Sequence, residues 1–242
     1  NQMRTALITG GASGLGRLHA LRLADEGYAV ALMDIDAQGL EEVSSHAGSI
    51  HPYPCDVTDL DGVRKTVQAI IETHGPIDRL VCCAGIMPGG LLLDTPAERA
   101  GFIMQVNYGG MVNICHTVIP AMVARDRGEV ILYGSSAGIM PMARLGAYGA
   151  SKAANNFYAK LLIAENKSKV RMTVVYPPSV NTPLLDQAKD GPPILHTAFG
   201  RRFLTVEPQG VVEAAEKSVR RGKAVCYPGM VPRIIAMASW FS

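Results

Sequence analysis

Tyr148 and Lys152 stand four residues apart in Tyr148-Gly149-Ala150-Ser151-Lys152, at the head of an apolar, small-residue stretch that reads as a helix to about Ala164. At that spacing two helical side chains share one face, one turn apart. An ammonium beside a phenol favours the phenolate, which predicts a tyrosine pKa below the reference near ~10. Such a group gives or takes a proton near neutral pH. Upstream, Gly134-Ser135-Ser136-Ala137-Gly138 follows the apolar run Glu129–Tyr133 and reads as a strand end that offers a hydroxyl. Taken alone, Tyr-x-x-x-Lys is as readily a buried tyrosine and a solvated lysine. The serine turn before it and a glycine loop at the start of the chain favour chemistry.

That loop, Thr9-Gly10-Gly11-Ala12-Ser13-Gly14-Leu15-Gly16, separates a short apolar run from a stretch with helix periodicity, and Gly10, Gly14 and Gly16 space as Gly-x-x-x-Gly-x-Gly. Glycines there permit a tight turn and close approach of backbone to phosphate, and the helix N-terminus beyond supplies N–H donors and a positive dipole end. Between a strand and a helix, this predicts a pyrophosphate site. Asp34 ends the second apolar run, where a dinucleotide fold sets an acid on the adenosine ribose hydroxyls. A 2′-phosphate would meet like charge there, and Ser13 offers it no cation. The expected cofactor is NAD(H) rather than NADP(H). The plainer alternative is that Asp34 only caps the helix after Ile35.

The elements that must position these groups follow from periodicity. Apolar runs at 4–9, 28–33, 50–54, 77–83, 129–133, 170–176 and 224–227 read as strands, and 14–27, 36–46, 58–74, 95–124, 148–164 and 207–221 read as helices. Gly27 and Gly75-Pro76 are stops; Thr58-x-x-Asp61 and Thr95-Pro96-Ala97-Glu98 read as capping boxes. Alternation implies parallel strands joined by right-handed crossovers, and strands apolar throughout imply a sheet covered on both faces. The expected fold is α/β: a single-domain Rossmann fold over 1–242, with a seven-stranded parallel, doubly wound sheet. Residues 182–205, rich in proline and glycine, read as a lid.

With 48% apolar and 18% charged residues in 242, the composition describes a compact globular chain, and a net charge of +2 speaks against nucleic acid as a partner. The five cysteines are Cys55, Cys82, Cys83, Cys115 and Cys226. They include no Cys-x-x-Cys pair and read as reduced thiols of a cytoplasmic protein. The scattered histidines show no metal-ligand spacing. The chain runs straight into a strand, so no signal peptide is expected, and no apolar run approaches the ~20 residues that span a bilayer.

Taken together, the glycine loop, Asp56-Val57, Ala84-Gly85, Asn107, Ser135, Tyr148, Lys152 and Pro177…Thr182 resemble the short-chain dehydrogenase/reductase family in order and spacing, from residue 4 to about 227. The resemblance implies that Tyr148 is the general acid in ketone reduction and the base in alcohol oxidation. Lys152 would bind the nicotinamide ribose, Ser135 would hold the substrate oxygen, and Asn107 would hold a water linking Lys152 to solvent. Asp56 would bond the adenine beside Val57. Cys83, Ala84 and Gly85 would lie by the adenosine, and Val180 and Thr182 would contact the carboxamide. Three positions depart from the family pattern. Cys82-Cys83 replaces a pair of asparagines. Pro178 replaces a glycine, fixing φ and removing an N–H. Tyr133 precedes the serine turn where Asn or Ile is more usual.

Met87, Met140, Met142, Leu145, Leu184, Leu185, Ile194, Leu195 and Phe199 would face the nicotinamide as an apolar, methionine-rich pocket. The expected substrate is a lipophilic secondary alcohol or its ketone: steroid-like, aryl or medium-chain. The alternatives are a 3-oxoacyl-(carrier protein) reductase and a non-catalytic dinucleotide sensor. The apolar tail 228–242 reads as packing. The resemblance implies a homodimer or homotetramer joined through the long helix after Thr95 and the Tyr148 helix.

Overall fold

The structure is a computed structural model that describes residues 3–197 and 205–229. The elements in chain order are β1 (Arg4–Thr9), α1 (Gly14–Asp25), β2 (Tyr28–Asp34), α2 (Ala37–Ser44), β3 (Ile50–Pro54), α3 (Leu60–His74), β4 (Ile77–Cys82), α4 (Ala97–Met104), α5 (Gly110–Ala124), β5 (Glu129–Tyr133) and α6 (Gly146–Glu165). Then come β6 (Arg171–Val175), β7 (Ser179–Val180), α7 (Pro183–Asp186), β8 (Thr205–Val206), α8 (Pro208–Arg220) and β9 (Val225–Cys226). Seven strands form one parallel sheet in the order β3-β2-β1-β4-β5-β6-β9. The chain winds outward from β1 to β3, then returns across the sheet to β4. The order therefore reverses between β1 and β4, and a crevice opens there at the carboxyl ends of the strands.

Adjacent strand residues face opposite layers. Leu7, Leu80, Leu132 and Val174 pack with α3, α5 and α6, while Ile8, Val81, Ile131 and Val175 pack with α1, α2 and α8. Burial on both faces explains why these strands lack alternation. The expected fold and strand count hold.

Both expected capping boxes fail. Thr58 gives its amide and hydroxyl to Asp56 Oδ1, each at 2.8 Å, so Asp59 caps α3 by accepting from Asp61 N at 3.1 Å. Thr95 turns its hydroxyl back to the Leu91 carbonyl at 3.0 Å, and α4 starts only at Ala97. In each case the bond that the hydroxyl donates holds the threonine on a local acceptor, away from the amides that a capping oxygen would serve. The stretch read as one helix over 95–124 is α4, a π-helical turn at Gln105–Gly109 and α5. The proposed lid contains α7 and a 3-10 turn at Pro193–His196; its residues 198–204, Phe199 among them, and the tail from 230 lie outside the described residues.

Candidate active site

Ser135 follows β5 in an extended conformation. Asn156 of α6 grips its backbone on both sides: Ser135 N donates to Oδ1 at 3.1 Å, and Nδ2 donates to the Ser135 carbonyl at 3.0 Å. A Cβ on Gly134 would stand 2.1 Å from that Asn156 Oδ1, so only glycine lets α6 close on the turn. Ser135 Oγ accepts from Ala137 N at 3.1 Å, which leaves its own hydrogen free to meet another oxygen.

Tyr148 lies in the first turn of α6 and is 6% exposed. Burial pushes the phenol above its ordinary value, and the neighbouring Ser135 hydroxyl draws it partly back. Lys152 is 5% exposed. Its Nζ donates to the Tyr133 carbonyl at 3.0 Å and stands 6.0 Å from the centre of the Tyr148 ring. Burial lowers the ammonium to about 8. The phenol lowered by its neighbour, expected from spacing, is therefore not found in the chain alone. Desolvation of the phenolate outweighs a charge at this distance whose hydrogen bond goes to the backbone.

Asn107 lies behind the cleft rather than on its wall. Its side chain exchanges bonds with the Ile86 backbone (2.8 and 3.0 Å) and donates to Ser151 Oγ at 2.9 Å. Its carbonyl accepts from Asn155 Nδ2 at 3.1 Å.

The cleft continues from these groups to the α1 N-terminus. One continuous cavity of about 440 Å³ is lined by Gly10, Ser13, Gly14, Leu15, Gly16, Asp34, Ile35, Asp56, Val57, Cys83, Ala84, Gly85, Pro177, Val180 and Thr182, together with Ser135, Tyr148 and Lys152. A dinucleotide fits these residues. Gly10 holds φ +69°, where a Cβ would come within 2.6 Å of Ala84 N; on Gly16 it would lie 2.1 Å from the Gly10 carbonyl. The loop is thus closed tightly on backbone that no larger residue would permit. Ser13 caps α1 without a side-chain bond, and the first turn holds no acid, so the helix N-terminus is open to an anion. Asp34 accepts from Ala12 N and Asp36 N, both at 3.1 Å, while Asp36 is the true cap of α2, accepting from Gly39 N at 3.0 Å. The capping role weighed for Asp34 therefore falls to Asp36. Three carboxylates, of Asp34, Asp36 and Asp56, line this end, and Lys152 is the one cation on the cavity wall among the described residues. Ile35, 73% exposed, offers a bare apolar face beside them.

Cys82 and Cys83 fill the sheet at the centre. Cys83 N bonds the Thr9 carbonyl at 3.1 Å; burial pushes the Cys83 thiol up, and a bond with Cys115, with burial second, raises Cys82. At the other end, Met87, Met142, Leu145, Leu184, Leu185 and Leu195 line the cavity as expected. Met140 does not. Its amide continues the turn from Ser136 (3.0 Å to the Ser136 carbonyl), which carries it outward to 44% exposure. Ile194 likewise lies off the wall.

The family model described as short chain dehydrogenase matches residues 4–192. The chain belongs to the short-chain dehydrogenase family. It is 32% identical over 230 residues to human epidermal retinol dehydrogenase 2, covering 91% of this chain and 72% of that protein. Identity to the 3-oxoacyl-[acyl-carrier-protein] reductase FabG of Thermotoga maritima is 32% over 192 residues, 76% of this chain and 77% of that one. A probable oxidoreductase, EphD of Mycobacterium tuberculosis, is 35% identical over 181 residues; the match takes in 72% of this chain but only 31% of the length of EphD. Among solved structures, a short-chain dehydrogenase/reductase from Burkholderia phymatum in complex with NAD superposes with a TM-score of 0.84 at 22% identity, covering 98% of this chain and 92% of that one.

Within this family member, Asn155, Asn156 and Ser151 brace the site and were not singled out from the sequence. Their spacing from Lys152 was visible, but on an apolar helix a polar residue gives no sign of what it touches. Arg144 holds φ +66° and lines a second cavity of about 430 Å³ with Arg99, Asp94 and Asp190.

Proposed function

We propose that the protein is an NAD(H)-dependent oxidoreductase that interconverts a lipophilic secondary alcohol and its ketone. The observation that carries this reading is the juxtaposition of Ser135, Tyr148 and Lys152 on the wall of a cavity that also contains the open N-terminus of α1 and Asp34. Gly10 to Gly16, Asp34, Asp56, Lys152, Val180 and Thr182 would hold the dinucleotide, which when bound accepts or supplies the hydride. Ser135 donates its hydroxyl hydrogen to the substrate oxygen. Tyr148 takes the alcohol proton in oxidation and returns it in reduction. Each donor aimed at an oxygen that gains charge is worth ~3–4 kcal/mol. Lys152, buried and held on the Tyr133 carbonyl, carries the positive charge that favours the phenolate once the substrate proton is moving. The apolar wall around Met87, Leu145 and Leu185 excludes water and suits a hydrophobic substrate. A panel of steroid-like, aryl and medium-chain alcohols with NAD and NADP tests the reading; turnover confined to small polar ketoses or sugar alcohols would contradict it.

Reduction of a 3-oxoacyl thioester is the second reading, favoured by the likeness to FabG and by Arg99 and Arg144 beside the cleft. Faster turnover of acyl thioesters than of free alcohols would select it. Phe157 and Leu161, exposed four residues apart on α6, support a homo-oligomer joined through that face, which sedimentation would test. Among the described residues no helix is long and apolar enough to cross a membrane.

A further inference from the structure

Tyr133 is the last residue of β5. It pairs with Val175 on the β6 side, but pairing with β4 ends one residue earlier, at Leu132 with Cys82. Gly134 N bonds the Val175 carbonyl at 2.9 Å. Across the trans peptide the Tyr133 carbonyl therefore turns to the β4 side, where the ladder has ended, and there Lys152 Nζ takes it at 3.0 Å. The oxygen that holds the ammonium thus belongs to a strand end paired on one side only.

The Tyr133 side chain supplies a second hold. Its hydroxyl is 2.8 Å from His19 Nε2, and the two rings meet edge-on, 5.7 Å between centres. His19 Nδ1 faces Glu216 Oε1 at 2.9 Å. Glu216 stays ionised, lowered to about 2: burial alone would raise it, but His19 and Arg79 outweigh burial. With Glu216 ionised, the bond to it places a proton on His19 Nδ1, and the tyrosine hydroxyl, which both donates and accepts, meets the ring at Nε2. Arg79 donates to Glu216 Oε2 at 2.5 Å and also bonds Glu129, which bonds Arg171 in turn. Glu129 is the first residue of β5. Both ends of this strand are therefore tied into one buried polar cluster that reaches α1 through His19 and α8 through Glu216. Such a cluster is a poor device for stability alone, since apolar residues of like volume would do as well.

We propose that Tyr133, His19 and Glu216 are positioning residues that keep the catalytic ammonium in place by fixing the end of β5. Only the kinetic arm of the test below rests on the oxidoreductase reading. The variants are Tyr133→Phe, His19→Leu and His19→Gln, the last because its amide offers Glu216 a donor and Tyr133 an acceptor together. In the chain without cofactor, amide hydrogen exchange over residues 133–138 is expected to quicken about tenfold or more in Tyr133→Phe and His19→Leu, with the glycine loop unchanged. With cofactor, kcat is expected to fall about tenfold, with KM for the alcohol and the NADH dissociation constant moving less than about twofold. His19→Gln should recover both. A fall in Tm with local exchange and kcat unchanged would overturn the proposal. Unchanged exchange in Tyr133→Phe overturns it whether or not the wild type turns over an alcohol, and decides the matter if His19→Leu does not fold.

Discussion

The Lys152 ammonium stands 6.0 Å from the centre of the Tyr148 ring, and burial governs the protonation of both side chains. Folded, Lys152 loses its proton near 8; unfolded, it keeps it to 10.5. The folded chain binds fewer protons across that window, so the group's contribution to unfolding free energy rises from pH 8 towards 10.5, and its cost is complete below 8. Lys152→Met should therefore raise the Tm of the cofactor-free protein at pH 7, by less at pH 10, while turnover is lost. A lower Tm at pH 7 would show that the bond to Tyr133 outweighs the cost of the buried charge.

Asp34 is expected to set cofactor choice, because its carboxylate is anchored to the glycine loop through Ala12 N. A charge-assisted bond is worth ~1.5–3 kcal/mol, which converts to roughly 10–100-fold. Asp34→Ala should shrink the NAD over NADP ratio of kcat/KM by that amount without abolishing activity. A wild type that prefers NADPH would overturn the assignment.

Ser135→Ala should lose ~10²–10³ in kcat, while Ser136→Ala stays close to wild type. The two differ in that Asn156 clamps the Ser135 backbone and Ala137 N fixes its hydroxyl. Equal losses would leave the hydroxyl unassigned.

Glu216 binds His19, Arg79 and Arg220 at once. Its carboxylate is lowered from 4.5 to about 2, so it contributes stability that is whole above about 4.5 and is lost as pH falls towards 2. Glu216→Ala should cost ~3–5 kcal/mol at pH 7 by urea unfolding, because Arg79 is left buried with its charge half-met. It should also flatten the loss of stability between pH 5 and 3 relative to wild type, to a degree the same urea series would read.

The placement of the glycine loop, Asp34 and the Tyr148–Lys152 pair on one cavity wall was legible because each is set by neighbours in sequence: a backbone turn, a strand end, one helical turn. The sheet was legible because burial on both faces leaves unbroken apolar runs. Thr58 and Thr95 misled because each hydroxyl is held by a bond it donates, to Asp56 and to the Leu91 carbonyl, and sequence does not show that such a bond will orient the side chain away from the helix amides. The sign of the Tyr148 shift was hidden because spacing reports a charge but not the water removed around it. Tyr133, His19 and Glu216 are 114 and 197 residues apart along their two bonds, so nothing local joined them.

Tyr148→Phe isolates the proposed proton carrier from the rest of the site. The variant keeps the ring but loses the hydroxyl proposed to move the substrate proton. With NADH binding followed by fluorescence and alcohol oxidation by absorbance, retained binding and a rate lower by ~10²–10⁴ are expected. Retained binding with an undiminished rate would contradict that role.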